Sequence, residues 1–503
     1  MNRYALYGII IGCVFMLYII FVVIIEPQEH CDIIIVGTGL AGLSSAYEAY
    51  RLSKGYLRIV MIEKDSSYGG NSKRATSGIN LLNTPIQKKN NINDSYDLFY
   101  NDTMKSSKNL SNPDLVSTLV NDSTDLFQFY KDIGLDLNKV SILGGHSVPR
   151  THRPEKLPVG YALTSRLFTL LFHESTIEIK YNCSLTGLIY NKRDNKVRGI
   201  DYIDLKTNKS KSLMSKVVIL ATGGYAHDYD PNTSLIKEFA PLLMKYPTTN
   251  GDGSTGIGVK ISRKIGAKLI DMDKVQVHPT GFVDMKNEFE KKKILAPELL
   301  RGVGGILVNQ TGNRFCNELG TRDYVTEQIL ANCEKKTNGI VEQYEAFMLI
   351  NQEGVDNYGN NINFYIKKGL LSSYENFTIF GNAFNISENT LKKTIQQYNM
   401  NYDNNIDEFN KTIFPLKFNY NSTIYVGIVS PSIHYTMGGV KINRDGEVIN
   451  TEGNVIKGLY GAGEVTGGVH GGNRLGGNSL LECAVFGKRV SDAALEYINK
   501  YYY

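Results

Sequence analysis

Three groups of residues in this chain have the types and spacing to do chemistry. The first is a phosphate grip. The run Cys31-Asp32-Ile33-Ile34-Ile35-Val36 leads into Gly37-Thr38-Gly39-Leu40-Ala41-Gly42, a G-x-G-x-x-G. Gly37 permits a tight turn, Gly39 lets the backbone approach a pyrophosphate, and Gly42 lets the next helix pack close to the strand. The N-terminus of that helix points free N–H groups at the phosphates. Glu63, with Lys64 beside it, ends the next apolar run and is placed to accept hydrogen bonds from ribose hydroxyls. The competing reading is a Gly-rich turn of structural origin. The second group is a series of glycine-and-hydroxyl loops: Gly69-Gly70-Asn71-Ser72, Ser77-Gly78-Ile79-Asn80, Thr222-Gly223-Gly224 and Gly461-Ala462-Gly463-Glu464. A simple nicotinamide protein needs no such returns to its cofactor; an extended FAD does. The third group is a scattered set of His, Arg and Glu residues in short motifs, taken up below.

These residues need elements to position them. Ile33–Val36 is short, apolar and β-branched, which predicts a fully buried parallel strand. Leu43–Leu52 predicts a helix, Leu57–Ile62 a second strand, and Val217–Leu220 a third running into its own Gly turn. The whole chain has 503 residues, 42% apolar and 21% charged, which is globular composition long enough for two or three domains. Disorder as the main state and a polytopic membrane protein are both excluded. The net charge of +5 is spread along the chain and gives no case for nucleic acid. Six cysteines without a CxxC pair give none for a disulfide scaffold, a zinc ribbon or covalent c-type haem, and no metal site is expected. Asn, Lys, Ile and Tyr are over-used, so sequons such as Asn101-Asp102-Thr103 and Asn121-Asp122-Ser123 arise by chance and are glycan acceptors only by pattern.

Ala5–Ile25 is an uncharged run, and about 20 such residues span a hydrocarbon core. Arg3 precedes it and Glu26 and Glu29 follow, so the rest of the chain is expected on the non-cytosolic side. The exit Val23-Ile24-Ile25-Glu26-Pro27 lacks the small residues of a cleavage site, which favours an uncleaved signal-anchor. The endoplasmic reticulum is the expected membrane and the mitochondrion the second.

The motifs of the third group are Gly144-Gly145-His146-Ser147-Val148-Pro149-Arg150, Val277-His278-Pro279-Thr280, Glu298-Leu299-Leu300-Arg301-Gly302, Gly320-Thr321-Arg322-Asp323, His434-Tyr435-Thr436-Met437-Gly438-Gly439 and Gly471-Gly472-Asn473-Arg474-Leu475-Gly476-Gly477-Asn478-Ser479. In this order they resemble the FAD-dependent fumarate reductase and succinate dehydrogenase flavoproteins, above all the soluble single-chain fumarate reductases of fungal and protist type. The resemblance covers essentially everything after residue 30. It implies an α/β fold: an FAD-binding, doubly wound, glutathione-reductase-like domain with an inserted α+β capping (clamp) domain, here preceded by one N-terminal transmembrane helix. The expected divisions are 1–30 for the anchor, 31–272 and 434–503 for the FAD domain, and 273–433 for the cap. The segment 335–425 has the weakest motifs and suggests no chemistry.

The resemblance also implies roles. Arg474 clamps a carboxylate, since its planar fork matches that geometry. His278 and His434 hold or polarise carboxylates. Arg322 is the acid that protonates substrate, although arginine has a pKa above about 12. Glu298 and Arg301, three apart, share a helical face and relay protons to Arg322. One FAD per chain is held by Gly37, Gly39, Leu40, Ala41, Gly42, Glu63, Lys64, Gly70, Asn71, Ser72, Ser77, Gly78, Ile79, Asn80, Thr222, Gly223, Asp252, Glu464, Ser479 and Leu480. The loop from Asn71 to Asn80 lacks the histidine by which membrane-complex relatives attach FAD, so the FAD is non-covalent. Pro297 stands where some relatives place a hydroxyl residue that touches substrate. Each role has a plainer competitor: an Arg322–Asp323 surface pair, a Glu298–Arg301 salt bridge, and structural histidines. His146 suggests no role.

The activity so implied is reduction of fumarate to succinate by a monomer. No haem motif or iron–sulfur cysteine set is present, so electrons come from a diffusible donor, reduced FMN, reduced FAD or NADH. Rival enzymes are urocanate- or acrylate-type reductases and L-aspartate oxidase. A rival outside enzymes is a flavin-fold binding module, like the Rab-escort and dissociation-inhibitor relatives; those lose the cofactor glycines or catalytic acids that this chain keeps.

Overall fold

A computed structural model describes residues 29–503. The Ala5–Ile25 run lies outside the described residues; among those described, no helix is long and apolar enough to cross a membrane.

The first described strand, Glu29–Val36, is apolar and buried through its second half, as its β-branched sequence predicts. It pairs in parallel with Ile59–Glu63 on one side and Lys209–Leu220 on the other. Ile177–Tyr181 and Val455–Gly461 extend this parallel sheet at its two sides. Its register brings Val36, Ile62, Leu220 and Gly461 to one edge. Ligands of open α/β sheets bind beyond such carboxyl ends. An antiparallel meander, Cys183–Asn191, Lys196–Asp204 and Lys209–Leu220, merges into the sheet through its last strand.

The helix after the first strand is Leu40–Leu52, and the last helix, Asn478–Tyr502, packs against it. Gly487 makes the approach possible: a Cβ there would sit 2.7 Å from the Ala41 carbonyl oxygen.

The cap is built on a seven-stranded sheet in the order Ile294–Leu295, Val275–Phe282, Ile424–Thr436, Glu342–Asn351, Ile306–Val308, with two short strands at its margins. Its strands pair antiparallel. Two apolar clusters fill the space between this sheet and its helices. Strand Ile424–Thr436 runs past residue 433, so the return from cap to cofactor domain falls inside one continuous strand. Just outside the insertion, Leu269–Ile270 pairs with Gly439–Lys441, which pairs in turn with Thr466–Gly467.

The segment 335–425 contributes more than its sequence suggested. Lys411 Nζ donates to Glu318 Oε2 at 2.7 Å, and Arg314 bridges Glu318 to Asp407 at 2.9 and 3.0 Å. Burial alone would raise the Glu318 carboxyl; Arg314 and Lys411 hold it at about 2. Opening such a network by removing one partner leaves a buried charge uncompensated.

Candidate active site

One cavity of about 770 Å³ begins at the phosphate grip and ends at a cluster of His and Arg side chains. Gly37, Gly39, Leu40, Ala41, Glu63, Lys64, Gly70, Asn71, Ser72, Ser77, Gly78, Thr222, Gly223, Glu464, Ser479 and Leu480 line it, as do His278, Arg322, His434 and Arg474. Residues from both domains therefore meet around a single space.

The grip end fits a dinucleotide on its own geometry. Helix Leu40–Leu52 starts at Gly39, which offers no side-chain cap, and has no acidic residue in its first turn; the Leu40 N–H donates to Ser72 Oγ at 3.2 Å, and the N–H groups that follow it and the helix dipole face an anion. A Cβ on Gly39 would meet only Ser72 Oγ, at 3.6 Å, and one on Gly223 nothing within 4 Å. Both glycines leave open space toward the cavity that a side chain would take. Gly37 and Gly42 serve packing instead: a Cβ would sit 2.3 Å from the Ala221 oxygen and 2.0 Å from the Gly37 oxygen, respectively. Glu63 Oε2 accepts from the Thr38 backbone N–H at 2.9 Å and from its hydroxyl at 2.5 Å, which fixes the acid at its strand end. Thr222 Oγ1 is buried without a protein partner.

Four expected cofactor residues lie off the cavity wall. Gly42 is behind the turn. Ile79 is fully buried and paired with His152. Asn80 turns the other way: its Nδ2 donates to the Gly476 carbonyl and to Asn478 Oδ1, each at 2.7 Å, bracing the loop that carries Arg474. Asp252 points outward and takes Lys292 Nζ at 2.9 Å, because that lysine satisfies it at the surface. Asn71 does line the cavity, but its side chain is occupied by Asn250, Ser254 and the Gly251 N–H.

At the other end, Arg322 opens the helix Arg322–Asn332. Its Nε donates to Glu298 Oε2 at 2.8 Å, and its Nη1 donates to Gln276 Oε1 at 2.8 Å. The Arg322–Asp323 surface pair does not form; Asp323 takes Lys108 instead, at 2.8 Å. A Glu298–Arg301 salt bridge is absent too. Both sit on the short helix Glu298–Gly302 behind the cavity wall, but Arg301 Nη1 donates to the Glu318 carbonyl at 2.5 Å. Glu298 is buried, which alone would raise its carboxyl; Arg322 and Arg301 hold it at about 2.

His278 Nδ1 accepts from the Thr280 N–H at 3.2 Å, so in the neutral ring Nε2 carries the proton, and that atom has no protein partner. His434 Nδ1 meets the Thr249 hydroxyl at 2.7 Å, and the two rings lie 5.0 Å apart. Burial first, then nearby guanidiniums, Arg322 foremost, push both imidazoles well below their usual value, so both are neutral near pH 7. Burial and Arg322 lower Arg474 to about 10. The cluster therefore offers two guanidiniums and neutral donors, a set that fits an anion with two carboxylates. Burial raises the Glu464 carboxyl to about 7, while its Oε1 accepts from Thr436 N–H at 2.9 Å.

Gln276 belongs to the site but stands in none of the sequence motifs. It ties Arg322 to the other arm of the site, because its Nε2 donates to the Arg474 carbonyl at 2.9 Å and to Asn473 Oδ1 at 2.8 Å. It stands two residues before His278 on the same strand, so strand alternation carries the only signal. His146 acts as a structural brace, its Nε2 meeting the Gly476 carbonyl at 3.0 Å beside Arg150.

The chain is similar to known proteins over most of its length. A family model described as an FAD binding domain matches residues 32–480. The chain is 39% identical over 481 residues to a fumarate reductase of Schizosaccharomyces pombe, covering 93% of this chain and 90% of that one. It is 38% identical over 474 residues to fumarate reductase 1 of Saccharomyces cerevisiae, covering 92% and 98%. A solved structure, the open conformation of a flavocytochrome c3 fumarate reductase, is similar with a TM-score of 0.73 and 31% identity, covering 94% of this chain and 79% of that one.

Proposed function

Because the chain belongs to the FAD-binding fumarate reductase family, we propose that it reduces fumarate to succinate with electrons from a diffusible donor. The observation that carries this reading is the placement of Arg322: on the wall of the FAD cavity, between Glu298 and Gln276, in the same space as Arg474, His278 and His434.

FAD is the cofactor, and when bound it supplies the hydride. The chain's own residues do the rest. Arg474 holds one carboxylate through its free edge, and the unpartnered Nε2–H of His278 donates to the dianion, with His434 beside it. Arg322 gives a proton to the carbon that does not receive the hydride. Glu298, at hydrogen-bond distance, passes a proton back to Arg322; its low carboxyl value means that it carries the proton only in passing. The absence of a histidine between Asn71 and Asn80 supports non-covalent FAD. Two carboxylate-holding arms favour fumarate over a monocarboxylate such as acrylate.

The donor is reduced FMN, reduced FAD or NADH, and the protein acts as a monomer. The uncharged Ala5–Ile25 run behind Arg3 supports anchoring with the catalytic part on the non-cytosolic side, in the endoplasmic reticulum first and the mitochondrion second. The test is anaerobic, fumarate-dependent oxidation of reduced FMN, reduced FAD and NADH side by side, with succinate measured. Succinate from at least one donor is expected; none from any of the three refutes the reading.

A further inference from the structure

The clamp residue of this site is held in an unusual way. Arg474 is buried, yet its side chain makes no hydrogen bond or ion pair with any described residue, and its Nε is without a partner. All its donors are kept for a ligand. What it does touch is a ring: its guanidinium carbon lies 4.3 Å from the centroid of Tyr435. Stacking on an aromatic face holds a guanidinium while leaving its edge free to donate.

The ring is itself fixed from behind. The Tyr435 hydroxyl donates to Glu482 Oε2 at 2.5 Å. His470 Nε2 meets the same oxygen at 2.9 Å, and the Thr466 hydroxyl donates to Oε1 at 3.3 Å. Tyr435 is 6% exposed, His470 2% and Glu482 1%. A carboxylate taken this far from water costs free energy unless its oxygens are satisfied, and here each is. The three residues come from different places: the strand that carries His434, the loop that carries Arg474, and the last helix. A phenol hydrogen-bonded to a carboxylate also has a more electron-rich ring, which strengthens its attraction for a cation.

We propose that Tyr435, Glu482 and His470 are positioning residues that hold Arg474 in its carboxylate-binding pose by stacking, leaving every guanidinium donor for the substrate. This rests on the reading of Arg474 as a clamp. None of the three gives or takes a proton in the reaction.

The test compares Tyr435→Leu, Tyr435→Phe, Glu482→Gln and the Tyr435→Phe/Glu482→Gln double variant with wild type. Fumarate kcat and KM, succinate binding followed by flavin absorbance, FAD content and Tm are measured on each. Tyr435→Leu should raise the fumarate KM and the succinate Kd about 3- to 30-fold, with kcat falling less. Tyr435→Phe removes this hydrogen bond and Glu482→Gln weakens it by putting a neutral amide in place of the carboxylate, so each should raise both constants, by about two- to tenfold. The double variant should then be no worse than the poorer single one. If Tyr435→Leu does not fold, the other three decide. A lowered Tm with KM and Kd within twofold of wild type would make the network structural only and overturn the proposal, as would additive effects in the double variant. A wild type that binds succinate but does not reduce fumarate would refute the reaction, and the binding series would still judge the positioning.

Discussion

Lys108 Nζ and Asp323 Oδ2 lie 2.8 Å apart and join the cofactor domain to the cap one residue from Arg322, the proposed acid. Lys108 and Asn109 both have a left-handed backbone, φ 58°, which is uncommon for a lysine and aims it across the seam. The pair is partly exposed, so its worth to overall stability is small. Its worth to catalysis is positional. Lys108→Gln should lower kcat/KM about three- to tenfold with Tm unchanged, as loss of one charged hydrogen bond implies. Salt should slow wild type more steeply than the variant, since a half-exposed pair is screened in the one and absent from the other. Equal salt dependence in the two proteins would rule out the latch.

Arg322 and Arg474 should separate in kinetics. An acid used only in the transition state affects kcat and kcat/KM together, with KM little changed. Arg322→Gln should therefore lose about 10²–10⁴-fold in kcat, and Arg322→Lys should recover part of it. Arg474→Ala should raise KM strongly. Wild-type turnover in Arg322→Gln at full FAD content would sink the assignment.

The two kinds of glycine in the phosphate grip should fail differently. The Cβ of Gly39→Val points toward the cavity, where only Ser72 Oγ is near, at 3.6 Å. FAD should be lost while the apo-protein keeps its Tm. Gly42→Ala drives a Cβ to 2.0 Å from the Gly37 oxygen, so folding itself should suffer. Full flavin occupancy in Gly39→Val would contradict the placement of the pyrophosphate.

Glu298 should mark the acid limb of stability. Its carboxyl is held at about 2, against about 4.3 for a free glutamate, by Arg322 and Arg301 working against burial. A depressed value contributes stability above the unfolded value, and that stability is lost as pH falls from about 4.3 toward 2. Glu298→Gln should have a shallower fall in that window, by about one proton. Acid unfolding curves of equal slope would show that the ion pair contributes nothing.

The N-terminal run makes a topological prediction. Protease added to sealed microsomes should spare residues 31–503, and adding detergent should expose them. Digestion without detergent would reverse the orientation.

The cofactor half of the fold was legible because its cause is local. Gly37, Gly39 and Gly42 sit in one turn between two apolar runs, and Glu63 ends the second. The parts that stayed hidden are those decided between distant segments. Nothing near Asn80 says that it braces Gly476, or near Gln276 that it joins Arg322 to the Arg474 backbone. Asp323 beside Arg322 invites a pairing that the helix geometry refuses, and its true partner lies far back in the chain at Lys108. Segment 335–425 looked featureless because its contribution is one of charge: Lys411 and Asp407 matter only once Arg314 and Glu318 are folded beneath them. Where a wall of the cavity is apolar, as at Phe364 and Ile294, no motif exists to be read.

The cap leaves and rejoins the cofactor domain at neighbouring points, with Leu269–Ile270 at its entrance hydrogen-bonded to Gly439–Lys441 at its exit. The segment between behaves as a cassette on a common doorframe. The glycine grip, Arg474 and Tyr435 stay with the frame, while Arg322, the proposed proton donor, and the imidazole of His278 travel with the insert. An exchange of this one segment would replace Arg322, His278 and the cavity wall at Ile294 and Phe364 together, and would leave the glycine grip and Arg474 of the frame in place.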